Sequence, residues 1–361
     1  MSKQKQFSEI PVVADDVKWI HSGRFKNLLN YAKGMGQELL LVGSVLNIEI
    51  VKENYANVRL FKTYEQLISY LSQDKVQLFI IDDKSVSKFR KILYKAIIYV
   101  YPIKGLWGMG GLPIKYVDKF STKLQFVLER FGINRIILKT YISDIKLARL
   151  IITQSYTSSG VLRYYYGIQA DLVLYNPVNL VLFKPIIPVE EKFLSKEVVV
   201  FLGTGYGDTN LSILADLSEV ARKHGFKVNL FGNKGRVKYF KRCNFDYYND
   251  ISDHDLVSLY SRSKITIIPQ LDEPISYVAI ESLATGTPVI CAYPEESISV
   301  GVDGYYSSST NFIHMLEKFL LQINDKSYYN ALSTNALSSS KKYDMDIITM
   351  KIYEYLEKVY G

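Results

Sequence analysis

Short apolar runs bounded by turn residues alternate with amphipathic stretches along this chain. Residues 17–23 (VKWIHSG) read as a strand running into a glycine turn. Residues 24–36 (RFKNLLNYAKGMG) read as a helix with Phe25, Leu28, Leu29 and Ala32 on one face. The runs 38–44 (ELLLVGS), 77–83 (QLFIIDD) and 96–102 (AIIYVYP) predict further strands, as do 135–140 (RIILKT) and 147–155 (LARLIITQS). Residues 172–179 (LVLYNPVN) close the first half. Such alternation predicts a parallel, doubly wound α/β domain.

Periodicity is lost over the proline-rich stretch 176–193, which predicts an interdomain linker, and the pattern then restarts. Residues 197–207 (EVVVFLGTGYG) read as a strand and glycine loop. A helix follows over 208–225, opened by Asp208 or Thr209 and closed by Arg222, Lys223, His224 and Gly225. Residues 226–235 read as strand and turn, 252–262 as a helix capped by Ser252, and 264–270 as a strand. The second half is thus a second Rossmann-like domain. The last stretch, 343–361, is a long amphipathic helix by pattern. The expected division is an N-terminal domain over 1–185, a C-terminal domain over 186–340 and a final helix over 341–361.

Composition narrows the class. Of 361 residues, 48% are hydrophobic and 22% charged, which is globular and not disordered. No apolar run approaches the ~18 residues of a membrane span. The N-terminus lacks the apolar core of a signal peptide. Two cysteines, Cys243 and Cys291, form no redox or ligand motif, and the four histidines show no metal-site spacing. A cytoplasmic location, with peripheral attachment at the inner membrane face, is the expectation.

Charge changes the picture further. Residues 1–190 hold 26 Lys and Arg against 15 Asp and Glu, whereas residues 191–361 hold 18 against 21. The basic half is suited to an anionic partner. Lys84, Lys88, Lys91 and Lys95 follow helical spacing, with Phe89, Ile92, Leu93 and Ala96 largely opposite. That face reads either as a surface for acidic membrane or phosphate, or as the solvated side of a packed helix.

The densest chemistry lies at 273–289 (EPISYVAIESLATGTPV). Pro274 places Glu273 on a loop. Ser276 suits a helix start, YVAIESLA continues it, and Gly286 suits its stop. Glu281 then lies one to two turns into that helix. Two carboxylates and a helix N-terminus suit a ligand bearing both hydroxyls and phosphates, such as a nucleotide-sugar. The loop at 203–208 (GTGYGD), with Gly203, Thr204 and Gly205, opens a helix after a strand and can cradle phosphate.

This run resembles the Glu-x7-Glu signature of retaining GT-B glycosyltransferases, glycosyltransferase family 4 in particular. It shares both glutamates, Ala284, Gly286, Pro288 and Val289 with the pattern E-x-F-G-x-x-x-x-E-A-x-A-x-G-x-P-V. Ile275 and Ser276 depart from the aromatic and the glycine. Val173, Asn176, Pro177, Val178, Asn179, Phe183 and Pro185 fit the family's hinge. The resemblance implies a GT-B α/β fold: two Rossmann-like doubly wound domains facing a cleft, with the last helix crossing back to the first domain. It implies a retaining, metal-independent glycosyltransferase with no cofactor, its donor a nucleotide-diphosphate sugar. Glu281 would bind ribose hydroxyls and Glu273 the donor sugar.

By the same resemblance Gly23 and Arg24 approach the donor phosphates, with Ser276, Tyr277 and Val278 around them. The family's usual Arg and Lys near the glycine loop are absent. Thr204 stands at the first place, and Lys234 and Arg236 are the candidate replacements. Tyr247 reads either as a base-stacking aromatic or as packing. Tyr101 and Trp107 mark the acceptor side, where the basic half suggests a lipid-linked or membrane-surface acceptor. A nucleotide-sugar epimerase, or a non-catalytic or nucleic-acid-directed protein using the basic face, are the alternatives; oligomeric state is silent.

Overall fold

The structure, a computed structural model, describes residues 10–14, 23–42, 51–52, 55–82, 86–100, 142–203, 211–249, 251–270, 275–308 and 310–360. The chain divides into two compact units, one of Met1–Pro177 with Met345–Gly361 and one of Val178–Asp344.

Unit 1 contains strands β1 (Val12–Ala14), β2 (Leu39–Val42), β3 (Val58–Phe61), β4 (Phe79–Asp82), β5 (Ala96–Val100), β6 (Leu150–Thr153) and β7 (Leu172–Val173). Their order across the sheet is β3-β2-β1-β4-β5-β6-β7, every pair parallel. Both sheet faces are covered, as parallel sheets require. Val12 and Ala14 turn to one core with Leu28, Tyr31, Ala32, Ile348, Ile352 and Leu356. Val13 and Phe79 turn to the other with Leu67, Leu71, Phe89 and Ile92. The helices include α1 (Gly23–Met35), α2 (Tyr64–Leu71) and α3 (Tyr156–Tyr166). Ser155 caps α3 by accepting the Ser158 N–H at 3.0 Å. Gly167 ends it in the left-handed region at φ 59°.

Unit 2 repeats the plan with β8 (Glu197–Phe201), β9 (Lys227–Phe231), β10 (Phe245–Tyr248), β11 (Ile265–Ile268), β12 (Val289–Cys291) and β13 (Gly304–Tyr306). Its order is β10-β9-β8-β11-β12-β13, again all parallel. Its helices are α4 (Val189–Leu194), α5 (Leu211–His224), α6 (Asp253–Arg262), α7 (Tyr277–Ala284), α8 (Phe312–Gln322) and α9 (Lys326–Ser340). Ser252 caps α6 as expected, accepting the Asp255 N–H at 3.1 Å. The last helix, α10 (Met345–Tyr360), packs on α1 in unit 1. The two doubly wound sheets expected from the alternation are present. Among the described residues no helix is long and apolar enough to cross a membrane.

Three details differ from expectation. A strand stands at Val12–Ala14, where none was expected, and Gly23 opens α1 instead of forming a turn. Residues 15–22 and 101–141, on which the strands expected at 17–23 and 135–140 fall, lie outside the described residues. The lysine-bearing segment is a 3-10 helix, Val86–Lys95, not an α-helix. Val86, Phe89 and Ile92 recur at three-residue spacing and are buried, which suits three residues per turn. Two of its lysines have partners within unit 1. Lys88 Nζ donates to Tyr64 Oη and sits 4.3 Å from the ring centroid. Lys95 Nζ donates to the carbonyls of Ser72 and Gln73 at 3.4 and 3.3 Å.

Candidate functional site

The strand order in unit 2 reverses between β8 and β11, and ligands of open α/β sheets are received beyond the carboxyl ends of strands at such a switch. Two chain segments leave the sheet there. One follows β8 through Leu202 and Gly203; the other follows β11 through Gln270 and enters α7.

Gly203 has φ 73° and is clasped to the end of β9. The Leu202 N–H donates to the Phe231 carbonyl at 2.8 Å, and the Asn233 N–H to the Gly203 carbonyl at 2.9 Å. Gly232, at φ 103°, lies so near that a Cβ there would stand 2.6 Å from the Gly203 oxygen. The 3-10 helix Lys234–Phe240 follows, with the Asn233 side chain accepting the Gly235 N–H at 3.0 Å. Of the two candidate cations on it, Lys234 is exposed and Arg236 is buried. The Arg236 guanidinium donates to the Leu202 carbonyl, so its charge lies against the base of the glycine loop. Tyr247, at the end of β10, is half-buried against the core and donates its hydroxyl to the Gly232 carbonyl at 2.9 Å.

The second segment is built around α7. Ser276 stands at its N-cap with extended backbone, but its side chain makes no capping bond. A carboxylate distant in sequence instead takes the N–H of Ser276 itself. Glu295, just beyond β12 and 3% exposed, accepts the Ser276 N–H at 3.0 Å and the Ser297 hydroxyl at 2.8 Å, both on Oε1. Its charge, second to burial, pushes the neighbouring Cys291 thiol well above its usual pKa. An acid at a helix N-terminus is favoured by the helix dipole. Tyr277 is half-buried and Val278 buried.

Glu281 lies in the second turn of α7 and is 2% exposed. Tyr260 of α6 feels its charge: burial first, then the charges of Glu281 and Asp253, push the phenol well above its usual pKa. Gly286, at φ 73°, ends the helix as its position in the sequence predicts.

Of the expected site residues, Gly203, Lys234, Tyr247, Ser276, Tyr277, Val278 and Glu281 all belong to unit 2. Gly23 and Arg24 form the start of α1 in unit 1. Glu273, Thr204, Gly205, Tyr101 and Trp107 lie outside the described residues. Glu295 was not among the expected residues; its only sequence signal is an acid four residues after the end of a buried strand. Among the described residues no group of three His, Cys, Asp or Glu could hold a metal ion.

Comparison with known proteins agrees with this organisation. The family model described as Glycosyl transferases group 1 matches residues 186–338, within unit 2. A search of curated proteins found no match. Among solved structures, Anabaena HepE in complex with UDP and glucose superposes with TM-score 0.71 at 15% identity, covering 97% of this chain and 99% of that one. The sucrose-phosphate synthase of Thermosynechococcus elongatus gives 0.66 at 13% identity, covering 98% and 99%. An alpha-glucosyltransferase in complex with UDP-glucose and DNA containing an abasic site gives 0.64 at 10% identity, covering 97% and 99%. At such identities the likeness is one of fold, and the chain has the GT-B fold.

Proposed function

We propose that this chain is a retaining, metal-independent glycosyltransferase that takes its sugar from a nucleotide-diphosphate sugar. The observation that carries the reading is the coincidence of three things in unit 2. The group 1 family model matches this part of the chain, the sheet reverses between β8 and β11, and the glycine loop and Glu281 helix leave the sheet there. The glycine loop, with Arg236 behind Leu202, and the first turn of α7 would stabilise charge on the leaving diphosphate. Glu281 would accept ribose hydroxyls and Glu273 those of the donor sugar. Retention would proceed on one face of the sugar, with the departing phosphate taking the acceptor proton. The acceptor we favour is lipid-linked or at a membrane surface, from the basic excess of residues 1–190.

Calorimetry against UDP-, GDP-, ADP- and TDP-sugars tests the donor, with Glu281→Gln and Glu273→Ala beside the native chain. One nucleotide-sugar should bind, and each substitution should weaken it. Binding by none of the four sinks the reading. Product NMR at the anomeric carbon tests retention, and unchanged turnover in EDTA tests metal independence.

A further inference from the structure

Lys192, in α4, is 1% exposed, a rare burial for a lysine. Its Nζ donates to the Thr285 carbonyl at 2.6 Å and to Thr287 Oγ1 at 2.8 Å. Thr285 is the C-cap of α7, where helix carbonyls lack intrahelical partners. The Thr287 hydroxyl donates onward to the Tyr260 carbonyl of α6 at 2.7 Å. Ser282 Oγ donates to the Thr287 carbonyl at 2.9 Å and is hydrogen-bonded to the Thr266 hydroxyl of β11 at 2.7 Å. One buried amine is thereby joined to α7, α6 and β11. With only two turns, α7 cannot hold its own conformation or direction.

We propose that Lys192 is a positioning residue for the site on α7. By closing the C-terminal end of the helix and tying it to α6, it fixes where Ser276 and Glu281 stand. The proposal rests on the reading of that site as a nucleotide-sugar site; Lys192 itself touches no substrate. Burial lowers its pKa to about 7, so near neutrality the amine exchanges between two protons and three. Two acceptors are in place for two protons. Among the described residues the third proton has no acceptor.

The titratable groups on the elements packed around α4 fall into three sets. Tyr260, Glu281, Lys264 and Tyr329 are buried, Arg262 and Tyr328 are half-buried, and Asp253, His254, Asp255 and Lys326 are exposed. Lys264 Nζ lies over the Phe193 ring at 4.6 Å, and Tyr329 donates its hydroxyl to the Lys264 carbonyl at 2.9 Å. Both groups are thus engaged away from the Lys192 amine.

The test compares Lys192→Met with the native chain by calorimetry with UDP at pH 6 and pH 8.5, and by amide exchange across residues 277–285. The substitution should weaken UDP roughly tenfold at pH 8.5, as loosened support around a site does. The ratio of the two dissociation constants should shrink at pH 6, where the third proton already disturbs the native clamp. Exchange should quicken in α7 while β8 and β11 keep their protection. Unchanged exchange in α7, or a ratio equal at both pH values, overturns the proposal.

If Lys192→Met does not fold, Thr287→Val removes one acceptor and leaves the lysine. About threefold weaker UDP and faster α7 exchange then support the role, and native-like values overturn it. If UDP binds no form, the donor reading fails by itself. The positioning role is then decided by α7 exchange alone.

Discussion

Each unit is closed by a late helix set against an earlier one across a glycine, and the two closures use different chemistry. In unit 1, α10 lies on α1, and a Cβ on Gly34 would stand 2.7 Å from Met345 Cγ and 2.9 Å from Thr349 Cγ2. Leu28, Tyr31, Ile348, Ile352 and Leu356 make most of that contact apolar, with Tyr353 adding a hydrogen bond from its hydroxyl to the Met35 carbonyl at 3.4 Å. In unit 2, α9 lies on α7, and a Cβ on Gly286 would stand 3.1 Å from Ser333 Oγ. That contact has more directed bonds: beside Leu337, Ser333 donates to the Gly286 carbonyl at 2.6 Å, and Lys192 donates to Thr285 and Thr287. Apolar packing is non-directional and tolerates small rotations, whereas hydrogen bonds fix angle and register. The helix that carries Glu281 has the more directional closure.

The comparison breaks most visibly at Gly34. Gly34→Leu should destabilise unit 1 by about 3 kcal/mol, since four extra carbons have no room between packed helices. Denaturant melts with amide exchange resolve the loss by unit, and equal loss of protection in both would show that the closures are not independent.

Next in size is pH. Burial holds the folded Lys192 at about 7 against its ordinary 10.5. Between those values the unfolded chain keeps a proton that the folded chain has released, so stability rises with pH across the window and this contribution is flat below it. The slope approaches about 1.4 kcal/mol per pH unit, or roughly 2 kcal/mol from pH 7 to 9 after damping near the folded pKa. Melts of native protein minus those of Lys192→Met should show this rise. A difference independent of pH would remove the polar character we assign to unit 2's closure.

How much of this was legible in the sequence depends on how local each cause is. The β8, β11 and β12 runs are continuous apolar stretches, and their order follows from alternating elements. Gly225 and Gly286 mark helix ends because φ of 67° and 73° suits glycine. The 3-10 segment was misread because Val86, Phe89, Ile92 and Leu93 satisfy both a three-residue and a 3.6-residue repeat. β1 was missed because a three-residue strand carries almost no periodicity. At the site, Ser276 and Glu281 could be placed on α7 from pattern alone. Glu295 and Lys192 could not, since they meet α7 from 19 and 93 residues away in sequence. A charged residue buried by tertiary contact looks, in sequence, like one on the surface.

Gly286→Ala sharpens the comparison at smaller scale. A side chain at φ 73° costs about 1–2 kcal/mol, and the new methyl presses on Ser333 and Leu337. Thermal melts should show that loss, with faster exchange in α7 and α9 and none in α10. Gly36→Ala is the control in unit 1, since it shares the backbone strain at φ 62° but meets nothing within 4 Å. If the two alanines cost the same, strain alone explains Gly286 and the polar contact adds nothing.

The smallest effect tests the other end of α7. Glu295 Oε1 holds the Ser276 N–H and the Ser297 hydroxyl, and glutamine can keep both bonds through its carbonyl oxygen. Glu295→Gln therefore removes a charge while preserving geometry. If α7 receives a diphosphate at its first turn, that carboxylate repels it, and the substitution should tighten UDP by roughly threefold, the scale of one charge at a helix terminus. Uridine, which carries no phosphate, should bind both forms alike, and added salt should narrow the difference for UDP. A gain shared by uridine would place the cause in loop packing. Weaker UDP binding would mean that the carboxylate supports the ligand instead of opposing it. The ends of α7 would then be alike in one respect: each would be held by a buried ionisable side chain that serves the helix's position before it serves the ligand.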